Sequence, residues 1–238
     1  MPEPLLLLPW KAPPVPFLPR LEPRAPARAV APALVSDHAA VLDELLSSSS
    51  SNLAVWRRSL PDGLSQTLET WVRSGAQPTD RRFSLATSSL EPWLEGLPPG
   101  EARRWLEQDI LQLLRNFCAA LGETELRLVL GPVLNDRCRK FHVDYLRMRM
   151  LCTYVGPGTE WVDEPWVRRD VLRTDEDGSA TNQQIVPDLD KVQRAGTGDV
   201  LWIRGREDRL GWRGGVHRSP PVAGTGQVRL VLAASTMG

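Results

Sequence analysis

The alternation of apolar and polar positions changes character at Gly122. Before it, the spacing is helical. Leu106, Ile110, Leu113, Leu114, Phe117 and Leu121 recur every three or four residues, which predicts a helix over Glu101–Leu121 with Gly122 as its stop. Leu64, Leu68, Trp71 and Val72 share one side of a second predicted helix, Leu64–Arg73. A third is expected over Asp37–Leu46, with Ser36 as N-cap and the Ser47–Ser51 run as its end. Leu53–Arg57 reads as a short strand, and Pro98-Pro99-Gly100 as a boundary.

Beyond Gly122 short strands replace helices. Leu126–Leu130, Arg147–Val155, Thr159–Val162, Val200–Arg204 and Val228–Ala234 are strand-like. Gly156-Pro157-Gly158, Gly198-Asp199 and Gly214-Gly215 mark turns between them, and Asp163 to about Asp190 is polar without a clear element. Many short strands with Gly/Pro turns point to an all-β sandwich or barrel in this half. Ten prolines fall in residues 1–32, and such density blocks helix interiors and sheet centres. The chain thus divides into a proline-rich, partly disordered arm (1–32), a mainly helical region (33–122) and a β-rich domain (123–238).

Charge narrows the function classes. Lys+Arg and Asp+Glu are both 29, so no basic surface for nucleic acid or anionic membranes is expected. Three cysteines without CxxC spacing (Cys118, Cys138 and Cys152) argue against a disulfide scaffold and for a reducing compartment. The run Leu5–Leu8 is too short to span a bilayer, and no later stretch approaches 18 apolar residues. A soluble cytoplasmic protein is expected.

The chemistry-bearing residues cluster in the β half. Of the histidines His38, His142 and His217, the second stands in a His-x-Asp pair with Asp144. On a strand, residues i and i+2 share a face, so both side chains can converge. Two imidazoles and one carboxylate with open positions opposite suit non-haem Fe(II). His-x-Asp alone is weak. His217 and Arg229 add weight, because pairing of their strands would bring an always-charged carboxylate clamp beside the metal. Two alternatives stay open: histidines satisfied by hydrogen bonds, or a tetrahedral zinc site that adds Cys138. Arg147 and Arg149 share a strand face, read as solvated or salt-bridged in preference to anion-binding.

Phe141-His142-Val143-Asp144, Arg149–Tyr154, Gly156-Pro157-Gly158-Thr159-Glu160-Trp161, Gly198–Ile203, Val216–Pro221 and Arg229–Leu232 resemble, in order, the core of Fe(II)/2-oxoglutarate-dependent oxygenases of the prolyl-hydroxylase-like branch. This resemblance covers about residues 123–238. The whole chain, including Asn52–Arg58, resembles a bacterial family catalogued as domain of unknown function 1826, and that membership implies no activity. The broader resemblance implies an α+β fold: a double-stranded β-helix (jelly-roll, cupin-like) core with N-terminal helices packed outside. It implies Fe(II) on His142, Asp144 and His217, Arg229 on the far carboxylate of 2-oxoglutarate, and Tyr154 as a donor to that co-substrate. The reaction would hydroxylate or demethylate a small molecule or protein side chain. A non-catalytic zinc- or iron-binding protein of the same fold is the alternative. Glu160-Trp161 stands where such proteins often carry Gly-Gly, which leaves the pocket shape open.

Overall fold

The computed structural model describes residues 31–133, 138–174, 179–207 and 210–237; the arm expected over 1–32 lies outside them except for its last two residues. The described strands are β1 (Leu34–Ser36), β2 (Leu53–Trp56), β3 (Thr79–Ser84), β4 (Glu125–Val133), β5 (Met148–Val155), β6 (Glu160–Val162), β7 (Gln193–Arg194), β8 (Val200–Arg204), β9 (Arg206–Glu207), β10 (Trp212–Arg213), β11 (Val216–Arg218) and β12 (Arg229–Ser235). The helices are α1 (Val41–Ser47), α2 (Leu64–Arg73), α3 (Glu101–Leu121), α4 (Arg169–Thr174) and α5 (Asn182–Ile185).

Seven strands form one sheet in the order β1-β2-β8-β5-β12-β4-β3, antiparallel except for the β1–β2 pair. Three more form a smaller antiparallel sheet, β11-β6-β7, and β9 and β10 form a ribbon. The fold is therefore mixed, with a large open antiparallel sheet and few helices. The strand expected at Leu53–Arg57 is β2; β1 and β3, also from the expected helical half, join it in extending the large sheet at both edges, and α4 and α5 lie in the expected β half. None of the described helices is long and apolar enough to cross a membrane.

The two faces of the large sheet bury different partners. Met148, Met150, Cys152 and Tyr154 of β5 point toward α1, α2 and α3 and join Leu68, Trp71, Leu106, Ile110 and Phe117 in the main core. Leu151 points the other way and packs with Leu53, Val55, Leu201, Ile203 and Trp161 between the two sheets. A strand covered on both faces reads as a nearly continuous apolar run, as β5 does. The far side of the small sheet is closed by Phe141, Val162, Val216, Ile185 and Val186.

α2 and α3 begin and end where their periodicity predicts, and Gly122 takes the left-handed conformation (φ 69°) that a helix C-terminus asks of glycine. The first helix differs. It starts at Val41, and Ser36 is the last residue of β1, its Oγ accepting from the His38 N–H at 3.1 Å. The strand β3 has no apolar alternation to announce it. It is a charged edge strand of the kind that discourages further pairing.

One buried polar cluster fastens α3 to the sheet. Arg58 forms a two-pronged pair with Asp109 of α3, at 2.5 and 2.8 Å, and the Tyr154 hydroxyl donates to the same carboxylate at 2.6 Å. Burial pushes the neighbouring Cys152 thiol up to about 11, the Arg58 charge offsetting only part of the effect, so this thiol stays protonated and inert. Asp109→Ala would strand a guanidinium that is 12% exposed. A loss of about 3–5 kcal/mol is expected in urea denaturation, while Asp109→Asn, which keeps an acceptor, loses less.

A second constraint bears on the segment that carries Asp144. A Cβ on Gly205 would lie 1.8 Å from the Leu146 carbonyl oxygen. Gly205→Ala is therefore expected to push the 144–147 segment outward and cost about 1–3 kcal/mol, the range for overpacking, measured by thermal or urea unfolding. Gly122→Ala is strained in backbone but meets no atom within 4 Å, and leaves the 144–147 segment in place.

Candidate metal centre

The centre begins with a backbone contact. His142 N–H donates to the His217 carbonyl at 3.0 Å, and His217 N–H donates back at 3.1 Å. This isolated antiparallel bridge hangs the His142 segment on the free edge of β11. Bridged residues project to the same side, so the two rings lie with centroids 4.5 Å apart.

Each ring is then fixed by the carbonyl two residues earlier. His142 Nδ1 lies 2.8 Å from the Lys140 oxygen, and His217 Nδ1 lies 3.0 Å from the Gly215 oxygen. A carbonyl only accepts, so in each neutral ring Nδ1 carries the proton and Nε2 keeps its lone pair. His217 is 3% exposed. Burial, with His142 close by, lowers its pKa to about 4, against a smaller upward pull from Asp144. It is neutral at pH 7.

His142 is the bridged residue, Asp144 follows two positions later outside any named strand, and the chain bends over 145–147 before β5. Arg206 N–H donates to the Asp144 carbonyl at 2.7 Å and anchors that segment to β9. The carboxylate is divided. Oδ1 sits 3.1 Å from Arg149 Nη1, whereas Oδ2 is buried without a hydrogen-bond donor, 3.5 Å from His217 Nε2. One ligating atom each from His142, Asp144 and His217 lies within 4.8 Å of the others. These three residues are the expected set, brought together.

The other expected residues stand elsewhere. Strands β11 and β12 do not pair, as the order of the two sheets shows, so Arg229 does not reach the histidines through a shared strand edge. It is 1% exposed, its Nε donates to the Pro157 carbonyl at 2.7 Å, and Nη2 lies 3.5 Å from Thr153 Oγ1. Burial lowers its pKa to about 10, offset in part by Glu160; it remains a cation. Tyr154 faces the helices. Its hydroxyl is spent on Asp109, so the expected donation to a co-substrate beside the histidines is corrected. Cys138 is exposed and does not join the His–Asp–His group, which removes the four-ligand zinc arrangement.

Two neighbours were legible only in part. Arg149 shares the inner face of β5 with Leu151 and Thr153, a parity the sequence carries, yet nothing local assigns it to Asp144. Trp161 pairs in register with His217 and walls the space between the sheets, and the sequence offers no sign of that partner. Glu160, beside it, is buried and paired with Arg194 and with Arg218 at 2.6 Å, which explains a charged residue in an interior strand.

The chain is similar to several solved structures. A prolyl-4-hydroxylase from Pseudomonas putida is 12% identical, with 84% of this chain and 98% of that chain covered and a TM-score of 0.42. A putative oxygenase from Shewanella oneidensis is 11% identical over 87% and 89%, with a TM-score of 0.42. A full-length Neurospora crassa protein, solved in complex with alpha-KG, is 14% identical over 87% and 84%, with a TM-score of 0.36. A comparison with curated proteins finds no match. Likeness at this level leaves function to be argued from the site. A model of the family described as "Protein of unknown function (DUF1826)" matches residues 36–234, and the chain belongs to that family.

Proposed function

We propose that this protein is an Fe(II)/2-oxoglutarate-dependent oxygenase built on a double-stranded β-helix, with His142, Asp144 and His217 as metal ligands. One observation carries the reading. Two Nε2 lone pairs and a buried, donorless Asp144 oxygen face one another. Such a trio repels itself unless a cation lies between, and neutral imidazole with carboxylate suits a divalent first-row metal.

The strand order supports the fold. From β4 onward the chain visits the large sheet, the small sheet at His142, the large sheet in β5, the small sheet in β6 and β7, the large sheet in β8, the small sheet in β11 and the large sheet in β12. This sequence of visits is a palindrome, as expected of an antiparallel ribbon folded over on itself into two facing sheets. The inner residues Leu151, Leu201, Ile203 and Trp161 exclude water from the space between them.

Bound Fe(II) and 2-oxoglutarate would supply the oxidative chemistry: decarboxylation of the co-substrate coupled to hydroxylation or demethylation of a small molecule or protein side chain. The protein's part is positional. The Lys140 and Gly215 carbonyls set the ring orientations, and Arg229, held by Pro157 and Thr153 against the inner face, offers a charge for the far carboxylate. A reducing cytoplasm is the proposed setting, in keeping with three free cysteines.

Anaerobic titration with Fe(II) tests the metal step, with one ion bound per chain expected. His142→Ala, Asp144→Ala and His217→Ala should each weaken binding beyond the roughly 10–100-fold typical of outer-shell changes. Arg229→Ala should leave Fe(II) affinity alone and raise the KM for 2-oxoglutarate by one to two orders of magnitude, from the loss of about 1.5–3 kcal/mol of charged hydrogen bonding. Succinate release reads the reaction. Tight metal binding with no 2-oxoglutarate turnover would instead identify a non-catalytic zinc or iron holder, and no metal binding would overturn the site altogether.

A further inference from the structure

Arg149 forms an ion pair with the candidate ligand Asp144. It sits on the inner face of β5, 25% exposed, with Nη1 3.1 Å from Asp144 Oδ1. Its Nε donates to Ser235 Oγ at 3.3 Å, and Ser235 is its register partner on β12. Arg147, two positions earlier and of the same parity, is turned away to the Leu121 carbonyl and Glu123 at the end of α3. Arg229 is engaged with Pro157 and Thr153. Of these three arginines, Arg149 is the one on the Asp144 carboxylate.

A carboxylate that is otherwise free turns about its last torsion and can grip an ion with both oxygens. A guanidinium on one oxygen removes that freedom and weakens that oxygen as a donor. We propose that Arg149 is a positioning residue: it holds Asp144 by Oδ1 so that Oδ2 alone is offered to the metal, and a coordination position that a two-oxygen grip would fill stays open. Ser235 in turn fixes the guanidinium. The inference rests on the metal reading of His142, Asp144 and His217.

The experiment uses the full chain and Co(II), whose visible d–d bands respond to coordination number. The wild type is expected to bind one Co(II). Arg149→Met should still bind one Co(II), with d–d bands shifted toward a higher coordination number as Asp144 turns to grip with both oxygens, and Arg149→Lys should restore the wild-type bands at least in part. Ser235→Ala should shift the bands in the same direction by less. Wild-type bands in Arg149→Met overturn the inference, and so does tighter binding with unchanged bands, which would make Arg149 only a repelling charge. Should Arg149→Met fail to fold, Ser235→Ala decides: shifted bands support the positioning role and unchanged bands overturn it. If the wild type takes up no Co(II), the metal reading itself fails and this inference falls with it.

Discussion

Two backbone hydrogen bonds between His142 and His217 hold the candidate site together. The same segment is tied on either side, Ser219 N–H donating to the Cys138 carbonyl at 2.8 Å and Arg206 N–H to the Asp144 carbonyl at 2.7 Å. The two rings are thus set side by side by main chain, which side-chain substitutions elsewhere cannot easily move. The ring orientations repeat the same device, each Nδ1 donating to the carbonyl two residues earlier. For His217 that carbonyl belongs to Gly215. A Cβ there would lie 2.9 Å from Ile203 Cγ2 and 3.1 Å from the Asn52 oxygen. Only glycine lets the backbone come close enough to β2 and β8 to carry the site on the sheet.

The large sheet is a platform because both of its faces are occupied. Helices α1–α3 cover one side, and the small sheet, through Trp161, covers part of the other. The Arg58–Asp109–Tyr154 cluster fixes α3 in a single position, a task apolar packing alone performs less selectively. In this arrangement the family segment Asn52–Arg58 has structural work: β2 extends the sheet and Arg58 locks the helix to it.

How much of this could be read in advance follows from how local the signals are. The helices α2 and α3 were legible to the residue, since amphipathic spacing and a glycine stop are local. The start of α1 was not, because Ser36 joins β1 through a parallel pair with β2, and that pairing leaves no mark around Ser36. β3 was missed for the same reason: its Thr-Asp-Arg-Arg stretch is strand only because β4 lies beside it. At the site, His142, Asp144 and His217 were legible as a set, because the His-x-Asp spacing is local and the bridge to His217 completes it. Tyr154 carries, in the sequence itself, the signal for the helix-facing side. It shares parity with Met150 and Cys152, and two such apolar neighbours mark the face that meets the helices. The neighbouring parity, Arg149, Leu151 and Thr153, is the one that faces the site. Arg229 was expected on a strand beside His217. The sheet order is a global property, and twelve residues of separation could not reveal it.

The choice between a metal and a purely hydrogen-bonded histidine pair turns on where the protons are. A hydrogen-bonded pair needs a proton between His217 Nε2 and Asp144 Oδ2, and the 3.5 Å between those atoms leaves room for one. Both Nδ1 protons are already committed to carbonyls. The extra proton would have to make His217 an imidazolium, which its burial opposes strongly enough to set the pKa near 4. A proton placed on Asp144 instead would forfeit the ion pair with Arg149. His217 Nε2 and Asp144 Oδ2 are therefore two inward lone pairs with no proton between them. Leaving one such buried acceptor unsatisfied costs about 1–3 kcal/mol, and more when it is charged. A divalent cation satisfies both at once, with His142 beside them as a third donor, and it does so without disturbing any hydrogen bond that holds the rings.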